Sequence, residues 1–181
     1  MTFDDITGDG RLWAVRNKSE EDNELYKLFD RWNDVVWLRS FFKANMDDLT
    51  SYFKITDVKD AIMDTIEDSE SLERMILDLS PYANLDTIFR PLSNYNIGVY
   101  LEKDKAKINE RRHHASWLRI YAIKLNQGVY IVTGGSIKLT ATMQEREHTA
   151  NELLKMEQAR RFLIENGIVD DDGFVDYMKE I

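Results

Sequence analysis

The apolar pattern changes period along the chain, and the changes mark the elements. Across residues 117–142, WLRIYAIKLNQGVYIVTGGSIKLTAT, β-branched and aromatic residues alternate with others and are interrupted at Asn126-Gln127-Gly128 and at Gly134-Gly135. That pattern predicts two or three short antiparallel strands joined by tight turns. In the first strand Trp117, Arg119, Tyr121, Ile123 and Leu125 share one face, while Leu118, Ile120, Ala122 and Lys124 share the other. Both faces are largely apolar, so the hairpin is expected at the centre of the fold with cover on each side.

Upstream the period is helical. Residues 20–46 carry Leu25, Leu28, Phe29, Trp32, Val35, Val36 and Phe42 at helical spacing, with Trp37, Leu38 and Phe41 widening the stripe beyond one face. Such a helix is buried on two sides or meets a partner. A second long helix is predicted from Thr56 as N-cap, along Val58, Ala61, Ile62, Ile66, Leu72, Ile76 and Leu79, with residues 67–70 as a point of interruption and Pro81 as its end. Residues 11–16 alternate as a short strand, and residues 1–10 read as a frayed terminus or turn. Residues 84–98 read as a turn leading into a short strand. After the hairpin, Thr142-Met143-Gln144-Glu145 and Thr149-Ala150-Asn151-Glu152 both have capping-box spacing, and either can open a helix that Gly167 closes. Asp170 to Gly173 then precede a short terminal helix. The order is strand, helix, helix, strands, helix: an α+β class with an antiparallel sheet flanked by long helices, in a single domain over residues 1–181.

Charge sharpens this picture. The net charge is −9, which argues against a general nucleic-acid binder. It is unevenly spread: residues 1–99 hold 11 Lys/Arg against 20 Asp/Glu, whereas residues 100–124 hold 7 against 3. The basic excess centres on residues 101–114, read as a mobile loop carrying Lys103, Lys105, Lys107, Arg111, Arg112, His113 and His114. Such a run is either a solvated surface or an arm that contacts phosphate or an acidic partner. The chain has no cysteine, which excludes disulfides and thiolate metal sites. With no run of about 18 apolar residues, no membrane span is expected, and a cytoplasmic location is.

Chemistry is sparse. His148 and Glu152 are four apart but lack a third ligand, His113-His114 and His148 read as surface histidines, and Gly134-Gly135 lacks the spacing of a nucleotide loop. Neither a metal nor a cofactor is implied. What remains is a cationic set on and beside the hairpin: Arg119, Lys124, Lys138, Arg146 and His148, with Tyr121 and Tyr130 near. Such groups can stabilise the charge on a phosphorane and move its protons. The competing reading pairs Arg119 and Lys124 with carboxylates of the flanking helices.

Gly135-Ser136-Ile137-Lys138-Leu139-Thr140, followed by Thr149-Ala150-Asn151-Glu152-Leu153, resembles the end of the RelE/ParE toxin superfamily, in its HigB-like, phage-derived branch. There a G-h-x-K-K-T strand leads into a helix beginning T-P-x-x-E-[IL]. Trp117-Leu118-Arg119-Ile120-Tyr121 is similar to that family's W/Y-R-h-h-Y strand. Leu139 stands in place of the second lysine, Ala150 in place of the proline, and the loop before Thr149 is longer. The resemblance implies a toxin of a toxin–antitoxin pair, a ribosome-dependent, metal-independent mRNA endoribonuclease with an antitoxin protein and the ribosome as partners. It implies Arg119 and Lys138 as ligands of the scissile phosphate, with Tyr121 and His148 as further catalytic candidates; Lys124 and Arg146 of the cationic set, and Arg111 and Arg112 of the basic segment, are read from the residues themselves as phosphate contacts. The alternative is a noncatalytic interaction module on the same scaffold, meeting a protein through the apolar helix or the basic arm.

Overall fold

The structure, a computed structural model, describes residues 1–78, 80, 83–92, 101–108 and 114–181. Its centre is a six-stranded sheet built from β1 (Thr2–Asp5), β2 (Leu12–Arg16), β3 (Phe89–Pro91), β4 (Glu102–Ala106), β5 (Leu118–Asn126) and β6 (Val129–Ile137), in the order β1-β2-β6-β5-β4-β3. The class is α+β, but the sheet is mixed. β2 runs parallel to β6 while the other neighbours are antiparallel. An antiparallel sheet was the expectation; the long helical connection after β2 lets the chain return on the far side, so that β6 arrives in the same direction.

The hairpin β5–β6 is central, and its two faces have different cover. Leu118, Ile120, Ala122 and Val132 pack with Leu12 and Ala14 beneath α1 (Glu24–Asn33), α2 (Val35–Ala44) and α4 (Val58–Ile76). Ile123 and Ile131 pack on the other side with Ala159 and Leu163 of α5 (Glu147–Glu165) and Phe174 of α6 (Asp171–Glu180). A short α3 (Met46–Phe53) joins α2 to α4 and ends at Lys54, whose φ of 60° turns the chain.

Several elements differ from the sequence expectation for local reasons. The single helix expected over residues 20–46 is two, because the Asp34 carboxylate accepts from the amides of Val36 and Trp37 and so restarts the chain as α2. The stripe was wide because it belongs to two helices. α4 is capped by Asp57 rather than Thr56, and it runs through residues 67–70 without interruption; Leu79 and Pro81 lie outside the described residues. Residues 2–5 are not frayed; they pair with β2. Gly134-Gly135 is not a turn but lies within β6, beside a bulge in its register with β5. Glycine is needed there for room: a side chain on Gly135 would stand 2.5 Å from Arg119 O, and one on Gly134 would overlap the Glu152 carboxylate. Of the loop expected over residues 101–114, Glu102–Ala106 is strand β4, and Arg111, Arg112 and His113 lie outside the described residues.

Candidate functional site

Strand alternation builds the site. On β4, Lys103 and Lys105 point to the α5 side of the sheet, and Lys107 continues the same spacing just past the strand. In register beside them, Lys105 faces Tyr121 of β5, and Arg119 lies two residues before Tyr121 on the same face. Lys138, immediately after β6, joins from the other neighbour. With the segment around Met143 and with Leu153 of α5, these residues enclose an open cavity of about 440 Å3. Among the described residues that line it, five carry positive charge, Lys103, Lys105, Lys107, Arg119 and Lys138, against Glu102 alone.

What holds these cations is as informative as where they are. Arg119 donates through Nη1 to the carbonyls of Ser116 and Leu118, at 2.6 and 2.7 Å. Lys138 donates to the carbonyls of Thr140 and Ala141, at 2.8 and 2.6 Å. Among the described residues neither forms an ion pair, nor do Lys105 and Lys107; Lys103 is paired with Glu157. Burial lowers the pKa of Arg119 below the ordinary guanidinium value. Lys105 is lowered by burial and then by the charges of Arg119 and Lys107, and Lys138 by burial and then by Arg119 and Lys105. A cluster of cations that depress one another is costly to the fold, and an anion in the cavity would relieve the repulsion. Tyr121 is fully buried with its hydroxyl 3.1 Å from Ser136 Oγ, and burial pushes its phenol up to about 12. It is therefore a hydrogen-bonding group at neutral pH.

The remaining sequence candidates lie elsewhere. Lys124 sits toward the opposite end of β5, paired with Asp86 at 3.0 Å. Arg146 forms a two-pronged ion pair with the buried Asp48 of α3. His148 is in the first turn of α5, with Nε2 2.9 Å from the carbonyl of Ile137 and its ring edge-on to Phe41. It lines a smaller pocket between α1, α2 and α5 rather than the cationic cavity. The backbone carbonyl it holds immediately precedes Lys138. His114, expected at the surface, is stacked on Trp117 with ring centroids 4.4 Å apart, and its Nε2 lies 2.7 Å from Asp64 Oδ2. It pins the end of the basic segment onto α4.

Lys105 and Lys107 were named in the sequence only as part of a basic arm. The signal that places them was present in the alternation Glu102-Lys103-Asp104-Lys105-Ala106-Lys107, which sends every lysine to one face of a strand. No family model, curated protein or solved structure matches the chain. No helix among the described residues is long and apolar enough to cross a membrane.

Proposed function

We propose that this chain is a cytoplasmic RelE/HigB-like toxin, a ribosome-dependent endoribonuclease whose cationic cavity holds the scissile phosphate of mRNA. The observation that carries the reading is selective pairing: Lys124 and Arg146 are neutralised by carboxylates, whereas the charged ends of Arg119 and Lys138 meet, among the described residues, carbonyls alone and line the cavity. In the reaction a ribose 2′-hydroxyl attacks the adjacent phosphorus, the O2′–P bond forms, and the bond from phosphorus to the 5′-oxygen breaks. Arg119 and Lys138 oppose the charge that gathers on the phosphoryl oxygens. The 2′-hydroxyl proton passes to a base and the departing 5′-oxygen gains a proton; Lys105 and Lys138, with lowered pKa values, are the groups placed to exchange them. Tyr121, buried with its hydroxyl on Ser136, supports the cavity wall beside Arg119 and acts through that position rather than by touching the phosphate.

The overall acidity is compatible with this chemistry because of where it lies. The acidic helix α4 covers the sheet face opposite the cavity, so RNA approaching the α5 side meets the local positive field first. A second reading, a noncatalytic interaction module on the same scaffold, draws on the exposed apolar side chains of α2 and α4, Val36 and Met63 among them.

Induced expression of the wild-type chain, beside Arg119→Ala and Lys138→Ala at equal abundance and with folding checked by circular dichroism, tests the proposal. Growth arrest by the wild type and relief by both substitutions is the expected result. Unimpeded growth with all three would move the function to the interaction module.

A further inference from the structure

On the outer side of the helical layer, away from the cationic cavity, α2 and α4 leave a groove of about 560 Å3 between them. Its floor is apolar: Val35 from α2, with Val58, Ile62, Met63 and Ile66 from α4. Two of these side chains are far more open than core use would leave them, Val35 at 43% and Met63 at 53% exposed, and Val36 beside them is 72% exposed. Val58, Ile62 and Ile66 follow one another at intervals of four along about 12 Å of α4, roughly two turns of a facing helix; Ile62 is buried and packs with Val58 and Ile66 on the core, so this row is the base of the groove and Val35 and Met63 are its open apolar surface. The rim carries Arg39, Lys43 and Lys59. None of the three has a carboxylate partner among the described residues. The one acid on the rim, Asp57, is occupied as the cap of α4, accepting from the amide of Lys59. In a chain of net charge −9, three unpaired cations around the exposed Val35 and Met63 side chains set a positive rim on an acidic protein.

We infer that this groove docks an acidic amphipathic helix of a partner protein, with apolar side chains at every third or fourth position seated against Val35 and Met63, over the base formed by Val58, Ile62 and Ile66, and carboxylates meeting Arg39, Lys43 and Lys59. A helix of that kind matches the groove in both length and charge, and helix-in-groove contact is a common way of reading such a surface. The same pattern rejects nucleic acid, because the apolar floor has no use for a phosphate backbone, and it rejects a basic helix by like-charge contact. The surface is distinct from the cavity, and the inference stands whether or not the chain cleaves RNA.

The test uses the full isotope-labelled chain and three synthetic peptides of about 20 residues, long enough to hold helical structure. The first is an amphipathic helix with leucines on one stripe and glutamates elsewhere, the second replaces glutamate by lysine, and the third scrambles the first. Binding is followed by amide chemical shifts and titration calorimetry on the wild type, on Met63→Glu and on Arg39→Glu/Lys43→Glu, all at exposed positions where the fold is expected to persist and melting curves verify it. Expected is saturable binding of the acidic peptide alone, with shifts confined to α2 and α4, weakened about tenfold or more by each variant and falling with salt. Absence of binding, equal binding of the scrambled or basic peptide, or shifts centred on Arg119 and Lys138 would overturn the inference. So would self-association of the chain abolished by Met63→Glu, which would make a second copy the occupant.

Discussion

Lys138 stands close enough to Arg119 that, after burial, the guanidinium charge is the largest influence holding its ammonium below the ordinary lysine value. Both are anchored by carbonyl oxygens and neither is neutralised among the described residues. The proposed anion site rests on this pair, and an anion held between the two would relieve their repulsion. A direct consequence concerns titration. With lysines reductively methylated using carbon-13 reagent, the dimethyl signals of Lys105 and Lys138 are expected to titrate below the ordinary dimethyl-lysine range, and inorganic phosphate or a short oligonucleotide should move them back up. Titration of all lysines together would remove the basis for a strained cationic cluster.

The strain has a stability counterpart. Lys105 has a lowered pKa and no hydrogen bond or ion pair among the described residues. Its charged form is therefore less favourable in the folded than in the unfolded state, and stability rises as pH climbs through the folded pKa toward the unfolded one. At neutral pH, Lys105→Met is expected to raise the melting temperature by about 2 °C while weakening anion binding. A melting temperature that falls together with binding would mean that Lys105 serves the fold instead.

The neutralised cations give the contrasting case. Lys124→Ala and Arg146→Ala should leave oligonucleotide binding unchanged, because their charges are already met by Asp86 and Asp48. Arg146→Ala should instead loosen the joint between α3 and the start of α5, seen as faster amide exchange around residues 142–148. Loss of binding equal to that of Arg119→Ala would assign the site a wider footprint.

A carboxylate buried in the middle of β4, between Lys103 and Lys105 in sequence, gives a pH dependence of its own. Asp104 is 2% exposed, one of its carboxyl oxygens lacks a hydrogen bond, and burial raises its pKa to about 6 despite the nearby charge of Lys124. Because the folded value lies above the unfolded one, its contribution is fully present below the ordinary aspartate range and is lost as pH rises through about 6. Asp104→Asn is expected to raise the denaturation midpoint at pH 8 and to flatten the stability profile between pH values of about 4 and 6. An unchanged profile would show that this carboxyl titrates normally.

Much of this architecture could be read from the residues, and the failures have physical causes. The alternation of Leu118, Ile120 and Ala122 against Tyr121 and Ile123 located a central hairpin with two covered faces, as found. Asp34 was missed as a break because a carboxylate within a helical stripe looks like one more polar position until its side chain is seen to cap the following turn. Gly134-Gly135 looked like a turn because sequence shows a glycine's freedom but not the neighbour that requires its small size; here Leu28, Arg119 and Glu152 fill the space. At the site, Arg119, Tyr121 and Lys138 were named, while Lys105 and Lys107 were left in a loop because their charge hid the strand period. Which cations are neutralised was beyond the sequence, since Arg146 meets Asp48 across 98 positions.

The close packing at those glycines is itself testable. Gly135→Ala brings a methyl against Arg119 O and the Leu28 side chain, and is expected to cost about 1–3 kcal/mol in urea denaturation while displacing Arg119. A neutral substitution would show that β6 can shift at the bulge.

The most direct measurement is mRNA cleavage in a purified translation system supplied with the wild-type chain, Arg119→Ala or Lys138→Ala, with cut sites read by primer extension. Cleavage within the translated region by the wild type alone, and only with ribosomes present, is the expected result. Intact mRNA with a folded wild-type chain would contradict the assignment of this cavity as a ribosome-dependent nuclease site.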